Sequence, residues 1–174
     1  MSREKNWFAL LTRSNYENIV YEGIRQKKIE AFLPKIKTKS RRRDRHIMLE
    51  KPIFPGYVFV KTSIYPPDHL SILKTVGAVR ILGNTKGPVP VASGQIESLR
   101  ILTSTDVDVI TGSSARLKRG DPVMILEGPM AGLRGEFVQY KGKSRVVIHV
   151  DALRQFAGIE VEEHNVEKLP DILA

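Results

Sequence analysis

A break in hydrophobic patterning at residues 103–114 (TSTDVDVITGSS) divides this chain into two stretches that call for different folds. Before it, short apolar runs alternate with helical periodicity. After it, Val123, Ile125, Phe137, Val138, Val146, Val147, Ile148, Val150, Ile159, Val161 and Val166 fall in short runs split by Gly120-Asp121, Gly128-Pro129, Gly132, Gly135 and Lys141-Gly142-Lys143. Such β-branched runs with turn residues between them read as strands. The 174 residues are enough for two small domains. The expected fold is α+β: an α/β sandwich over residues 1–105, with an antiparallel sheet and helices, a linker over 106–114, and a small five-stranded β-barrel over 115–174.

The first stretch opens with Trp7-Phe8-Ala9-Leu10-Leu11, an apolar run fit for a buried strand. Ser14-Asn15-Tyr16-Glu17 then has the spacing of a capping box, which predicts a helix starting there with Ile19, Val20 and Ile24 on its packed face and an end near Glu30. Residues 31–37 read as an extended, edge-like segment interrupted by Pro34. Tyr57-Val58-Phe59-Val60 reads as a central strand following the turn at Pro55-Gly56. Leu70, Leu73 and Val76 predict a helix after Pro66-Pro67, Val79-Arg80-Ile81-Leu82 a strand, and Ile96, Leu99 and Leu102 a third helix beginning at Ser93.

Charge is distributed unevenly. Residues 1–108 hold 19 basic and 10 acidic groups and residues 109–174 hold 9 of each, so the whole net charge of +9 lies in the first stretch. Lys35, Lys37, Lys39, Arg41, Arg42, Arg43 and Arg45 crowd into eleven positions with one acid, Asp44. Burying such a cluster would cost several kcal/mol per charge, so it must project into solvent as the tip of a hairpin whose arm returns at Ile47-Met48-Leu49. Two roles suit it: a solubilising loop, or electrostatic contact with nucleic-acid phosphates, favoured by four arginines in five positions.

Several classes are set aside on residue content. The longest uncharged apolar run, residues 53–60, is broken by Pro55 and Gly56 and falls short of the ~20 residues of a membrane helix; with no apolar leader segment, the chain is expected in the cytoplasm without membrane contact. Cysteine is absent, which removes disulfides, cysteine-ligated metals and thiol nucleophiles. His46, His69, His149 and His164 are scattered, Glu160, Glu162 and Glu163 read as a solvated strand face, and neither a GxxxxGK[ST] loop nor GxGxxG occurs. Neither catalysis, nor a cofactor, nor a metal is expected.

Two motifs together carry a resemblance. Lys51-Pro52-Ile53-Phe54-Pro55-Gly56-Tyr57-Val58-Phe59-Val60, after an opening strand with Trp7, resembles the N-terminal domain of the NusG family of transcription elongation factors. Residues 120–129 (GDPVMILEGP), with Gly132, Gly135 and Val138, look like the KOW motif that follows it in that family. The resemblance implies that the first domain grips the clamp helices of RNA polymerase through an aromatic patch, to which Tyr57 and Phe59 match, with Trp7 and Phe54 nearby; core packing is the other reading of these rings. It places the basic run near the non-template DNA strand of the transcription bubble, where Lys39, Arg41, Arg42, Arg43, Arg45 and His46 would hold phosphates or stack on bases.

In this family the second domain binds a partner such as termination factor Rho or a small-subunit ribosomal protein. Here the common Phe-Gly-Arg stretch is replaced by Leu153-Arg154-Gln155. Some specialised relatives bind a leader RNA, for which Lys141, Lys143 and Arg145 are candidates, as well as being ordinary solvated turn residues. The density of the basic run resembles specialised paralogues serving particular long operons. The expectation is therefore a monomeric antiterminator that suppresses pausing or termination. A general factor coupled to Rho and ribosomes, and a ribosome-associated RNA-binding protein using its KOW domain, are the alternatives.

Overall fold

The computed structural model describes residues 3–40, 47–113 and 120–170. It contains two compact units, Met1–Ser93 and Gly94–Ala174. In the first, β1 (Asn6–Thr12) is followed by α1 (Glu17–Gln26), β2 (Glu30–Phe32), β3 (Lys35–Lys39), β4 (Met48–Pro52), β5 (Tyr57–Thr62), α2 (Pro66–Leu73), β6 (Ala78–Ile81), β7 (Gly83–Asn84), β8 (Gly87–Pro88) and β9 (Pro90–Val91). The main sheet has the antiparallel order β2-β5-β1-β6, with β9 also pairing with β1. The apolar run of β1 takes its centre because it is buried on both faces. One face carries Phe8, Leu10, Val58 and Val60, on which Val20 and Ile24 of α1 and Ile72 of α2 pack. Side chains alternate along strands, so Trp7, Ala9, Tyr57 and Phe59 lie on the other face.

Two local readings change. The helix α1 begins at Glu17, yet no side-chain hydrogen bond caps it. Glu17 Oε1 instead accepts the Gly56 N–H at 2.7 Å, a tertiary partner that outcompetes the local capping box. The helix ends at Gln26, and Ile19 is exposed while Val20 and Ile24 are buried. In α2 the buried residue is Ile72, whereas Leu70 and Leu73 face solvent. The apolar residues located that helix, which ends at Leu73 so that Val76 lies beyond it.

The second unit contains α3 (Ser93–Thr103, whose first residue falls in the first unit), β10 (Ile110–Ser113), β11 (Asp121–Ile125), β12 (Arg134–Tyr140), β13 (Lys143–Val150), β14 (Gln155–Glu160) and β15 (Val166–Lys168). Its sheet runs β10-β14-β13-β12-β11-β15 with antiparallel pairs throughout. The six strands lie in one continuous antiparallel sheet in that order. The additional strand, β10, comes from residues expected to be linker. The division between units falls at the start of α3, where Ser98 Oγ accepts the Arg134 N–H at 3.1 Å and so ties the helix to β12. From Arg145 to Val150, β13 is buried on both faces, and Val138, Val147 and Phe156 form a cluster on one of them. Gly135 is required here: a Cβ would stand 2.5 Å from the Val147 carbonyl oxygen.

Candidate functional site

In the first unit, the chain from Pro52 to Tyr57 makes a turn whose geometry is fixed from three sides. Gly56 adopts φ +86°, a conformation that costs a side-chain-bearing residue more than glycine. Its N–H donates to Glu17, its carbonyl accepts the Thr12 N–H at 2.8 Å, and the Ile53 N–H donates to the Pro34 carbonyl at 2.8 Å. The turn therefore delivers Tyr57 to the start of β5 opposite Leu11 with little freedom.

The four predicted aromatic contacts separate by burial. Phe54 and Phe59 are fully buried and meet edge to face, with centroids 6.3 Å apart, while Phe32 stacks on Phe59 at 6.2 Å. Trp7 is buried too, with Lys61 Nζ 5.9 Å from its ring centroid. Tyr57 is partly accessible. Thus one of the four is partly accessible in this conformation, and the other three are buried.

The strands β3 and β4 form a two-stranded antiparallel ribbon, with Lys35 opposite Pro52 and Lys39 opposite Met48. The Ser40 N–H donates to the Ile47 carbonyl at 3.0 Å and closes the ladder, so residues 41–46 are what connects the two arms. Arg41, Arg42, Arg43, Arg45 and His46 lie outside the described residues; Lys39 is exposed at the end of β3. Ile47, Met48 and Leu49 on the returning arm are exposed, an apolar strip beside a basic one. The sequence signal for it was available: an apolar trio amid charges, with nothing opposite to bury it.

In the second unit, Lys141, Lys143 and Arg145 gather at the β12–β13 hairpin, whose turn has Lys141 at φ 53° and Gly142 at φ 76°. They centre on Tyr140, which sequence reasoning did not single out: Arg145 Cζ stands 4.9 Å and Lys141 Nζ 5.4 Å from its ring centroid. Lys143 is paired with Glu160 at 2.9 Å. The Arg145 side chain is buried, and its Nε and Nη1 have no hydrogen-bond partner among the described residues. Leu153 is buried in a turn of 3₁₀ helix beyond the far end of β13, and is not part of this cluster. A second polar cluster was also missed: Glu136 Oε2 accepts the Gly120 N–H at 3.2 Å and stands 3.2 Å from His149 Nε2.

Among the described residues, no group of three or more His, Cys, Asp or Glu is placed to hold a metal ion, and no helix is long and apolar enough to cross a membrane. What the arrangement offers is surface: a partly accessible tyrosine after the Gly56 turn, a basic ribbon and a cation-flanked tyrosine.

Comparison with known proteins gives the family and the fold. A family model described as "Transcription termination factor nusG" matches residues 5–100, more than half of the chain. The chain is 26% identical over 180 aligned positions to the transcription termination/antitermination protein NusG of Bacillus subtilis (strain 168), covering 95% of this chain and 99% of that protein. It is 25% identical to the protein of the same name from Streptococcus pyogenes serotype M1, covering 97% and 98%. Among solved structures, one described as "Domain interaction in Thermotoga maritima NusG" superimposes with a TM-score of 0.55 at 20% identity over 96% of this chain and 98% of that one, a likeness of fold.

Proposed function

The chain belongs to the NusG family of transcription factors, and from that premise we propose that its first unit binds elongating RNA polymerase and suppresses pausing or termination on particular operons. The observation that carries this reading is the turn at Pro55-Gly56. It presents Tyr57, partly accessible, at the start of the strand that carries Phe59, whose buried ring meets Phe54 edge to face and stacks on Phe32, in the same unit as the basic ribbon. Rigid aromatic edges provide contact area to a partner helix at low entropic cost. The clamp helices of the polymerase are the partner that fits. The β3–β4 ribbon then reaches the non-template DNA, and its cations add salt-dependent affinity without reading sequence.

The proposed mechanism is binding energy alone. A protein that binds the closed, elongating polymerase more tightly than the opened, paused one shifts the population toward elongation by its differential affinity. The second unit, tethered to the first, gains effective concentration for a further partner, with Tyr140 and Lys141 as its candidate face and a leader RNA as the candidate ligand. The basic density of the ribbon supports a specialised role. Replacement of the family's Phe-Gly-Arg stretch by Leu153-Arg154-Gln155 argues against coupling to Rho or to a ribosomal protein.

Affinity for core polymerase tests the proposal with Tyr57→Ala, chosen because the buried Phe59 cannot be removed without damaging the fold. A loss of tenfold or more is expected, with an unchanged melting curve. Equal binding by wild type and variant removes the clamp assignment.

A further inference from the structure

Arg145 is a buried charge that the sheet around it leaves unanswered. The residue is 9% exposed, and its Nε and Nη1 have no hydrogen-bond partner among the described residues. The carboxylate opposite it in the β13–β14 ladder is that of Glu160, yet Glu160 Oε2 accepts from Lys143 Nζ at 2.9 Å. Glu163, the next acid near this hairpin, accepts from Ser144 Oγ at 3.1 Å. Ser144 alternates with Arg145 along β13 and so belongs to the other face. A buried guanidinium whose donors are unused costs free energy that a paired one recovers. Unused donors kept at the end of a hairpin therefore mark a place held for an anion.

We infer that Arg145, with Lys141 and Tyr140, binds a phosphate group. The inference deepens the leader-RNA reading of the second unit and rests on it for the source of that phosphate, because a phosphate of the RNA backbone and a free phosphate share this chemistry. The planar fork of a guanidinium matches two phosphate oxygens. Lys141 Nζ lies 5.4 Å from the centroid of the same ring that Arg145 Cζ approaches at 4.9 Å, so a third oxygen has a cation of its own. A carboxylate, with two oxygens, would fill the fork and leave that ammonium unused. Tyr140 supplies what a nucleotide needs beside its phosphate, an aromatic ring, and Phe156 fixes that ring by meeting it edge to face at 6.2 Å. Nε and Nη1 are closed to solvent as the hairpin stands. Lys141 is exposed, in a turn where it and Gly142 have φ of 53° and 76°. Its side chain is the piece that swings off the ring as the ligand enters and then closes on the phosphate.

The test is nuclear magnetic resonance of the full chain, following the Arg145 Nε–H resonance, assigned by its loss in Arg145→Lys. Inorganic phosphate and a 12-nucleotide single-stranded RNA are titrated separately at constant ionic strength. A saturable shift of this resonance is expected with RNA, with free phosphate or with both, and the pattern identifies the source. Lys141→Gln, an exposed change that leaves the fold intact, should weaken the apparent affinity by about threefold, the size of one exposed charge. A resonance unmoved by either probe, a shift indifferent to Lys141→Gln, or an equal shift with acetate overturns the site. The two readings fail separately. RNA binding that leaves Arg145 unmoved removes this site and keeps the leader RNA, whereas a shift with free phosphate in a chain that binds no RNA keeps the site and removes the leader RNA.

Discussion

Removing the carboxyl group of Glu17 should loosen the turn that carries Tyr57, although the two residues are forty positions apart. Glu17 is 7% exposed and accepts the Gly56 N–H at 2.7 Å. A hydrogen bond to a carboxylate contributes about 1.5–3 kcal/mol net, and leaving a buried donor unpaired costs about 1–3 kcal/mol. The same carboxylate sits in the first turn of α1, where an acid adds about 0.3–1 kcal/mol through the helix dipole. These contributions overlap, so Glu17→Ala is expected to cost about 2–4 kcal/mol. Glu17→Gln keeps an acceptor oxygen and loses the charge, and should cost about 1 kcal/mol, the size of a neutral hydrogen bond's worth. Urea unfolding followed by Trp7 fluorescence reads this directly, because Trp7 is the single tryptophan, buried in the first unit. A cost below about 0.5 kcal/mol for Glu17→Ala, within the range of ordinary surface changes, would refute the tertiary role of this residue. So would equal costs for Ala and Gln.

Three further outcomes are expected. Replacing Arg41, Arg42, Arg43 and Arg45 by Gln should lower the slope of log affinity for single-stranded DNA against log salt by about 3, at about 0.7 per phosphate contact, while polymerase docking persists; titration at several salt concentrations measures it. Phe59→Ala should cost about 3–5 kcal/mol in urea unfolding, the range for an aromatic removed from a core, because Phe59 is fully buried against Phe32 and Phe54. Arg145→Lys should destabilise the second unit by about 0.5–2 kcal/mol, by thermal melting, since an ammonium cannot reproduce a planar guanidinium stacked on Tyr140.

Elements whose apolar run is self-sufficient were legible in the sequence. The strands β1 and β5 are buried wherever they lie in the sheet, and the Pro55-Gly56 turn announces itself by residues that suit little else. The β3–β4 ribbon followed from the repulsion of its charges. What the sequence obscured depends on tertiary choice. Ser14 and Glu17 have the spacing of a capping box, but the orphan N–H of Gly56 was a better partner for Glu17. Leu70, Leu73 and Val76 periodically mark a helix without saying which side meets the sheet, and Ile72 decided that. Residues 110–113 look like linker by composition and become β10 because the edge of β14 offers a ladder for them. At the candidate site, the pattern placed Tyr57 and Phe59 on one strand face, and burial then separated the core ring from the accessible one. Tyr140 went unnoticed because its significance lies in Lys141 and Arg145 flanking one ring, a relation across a hairpin.

We propose that this chain acts on elongating polymerase through the surface of its first unit that includes Tyr57. Pause duration and read-through at an intrinsic terminator, measured with purified polymerase on a single template with wild type and with Tyr57→Ala, test it most directly. Shortened pauses and increased read-through with wild type, lost with Tyr57→Ala, are the predicted result. Unchanged elongation in the presence of saturating wild-type protein, or an effect that Tyr57→Ala retains in full, would contradict it.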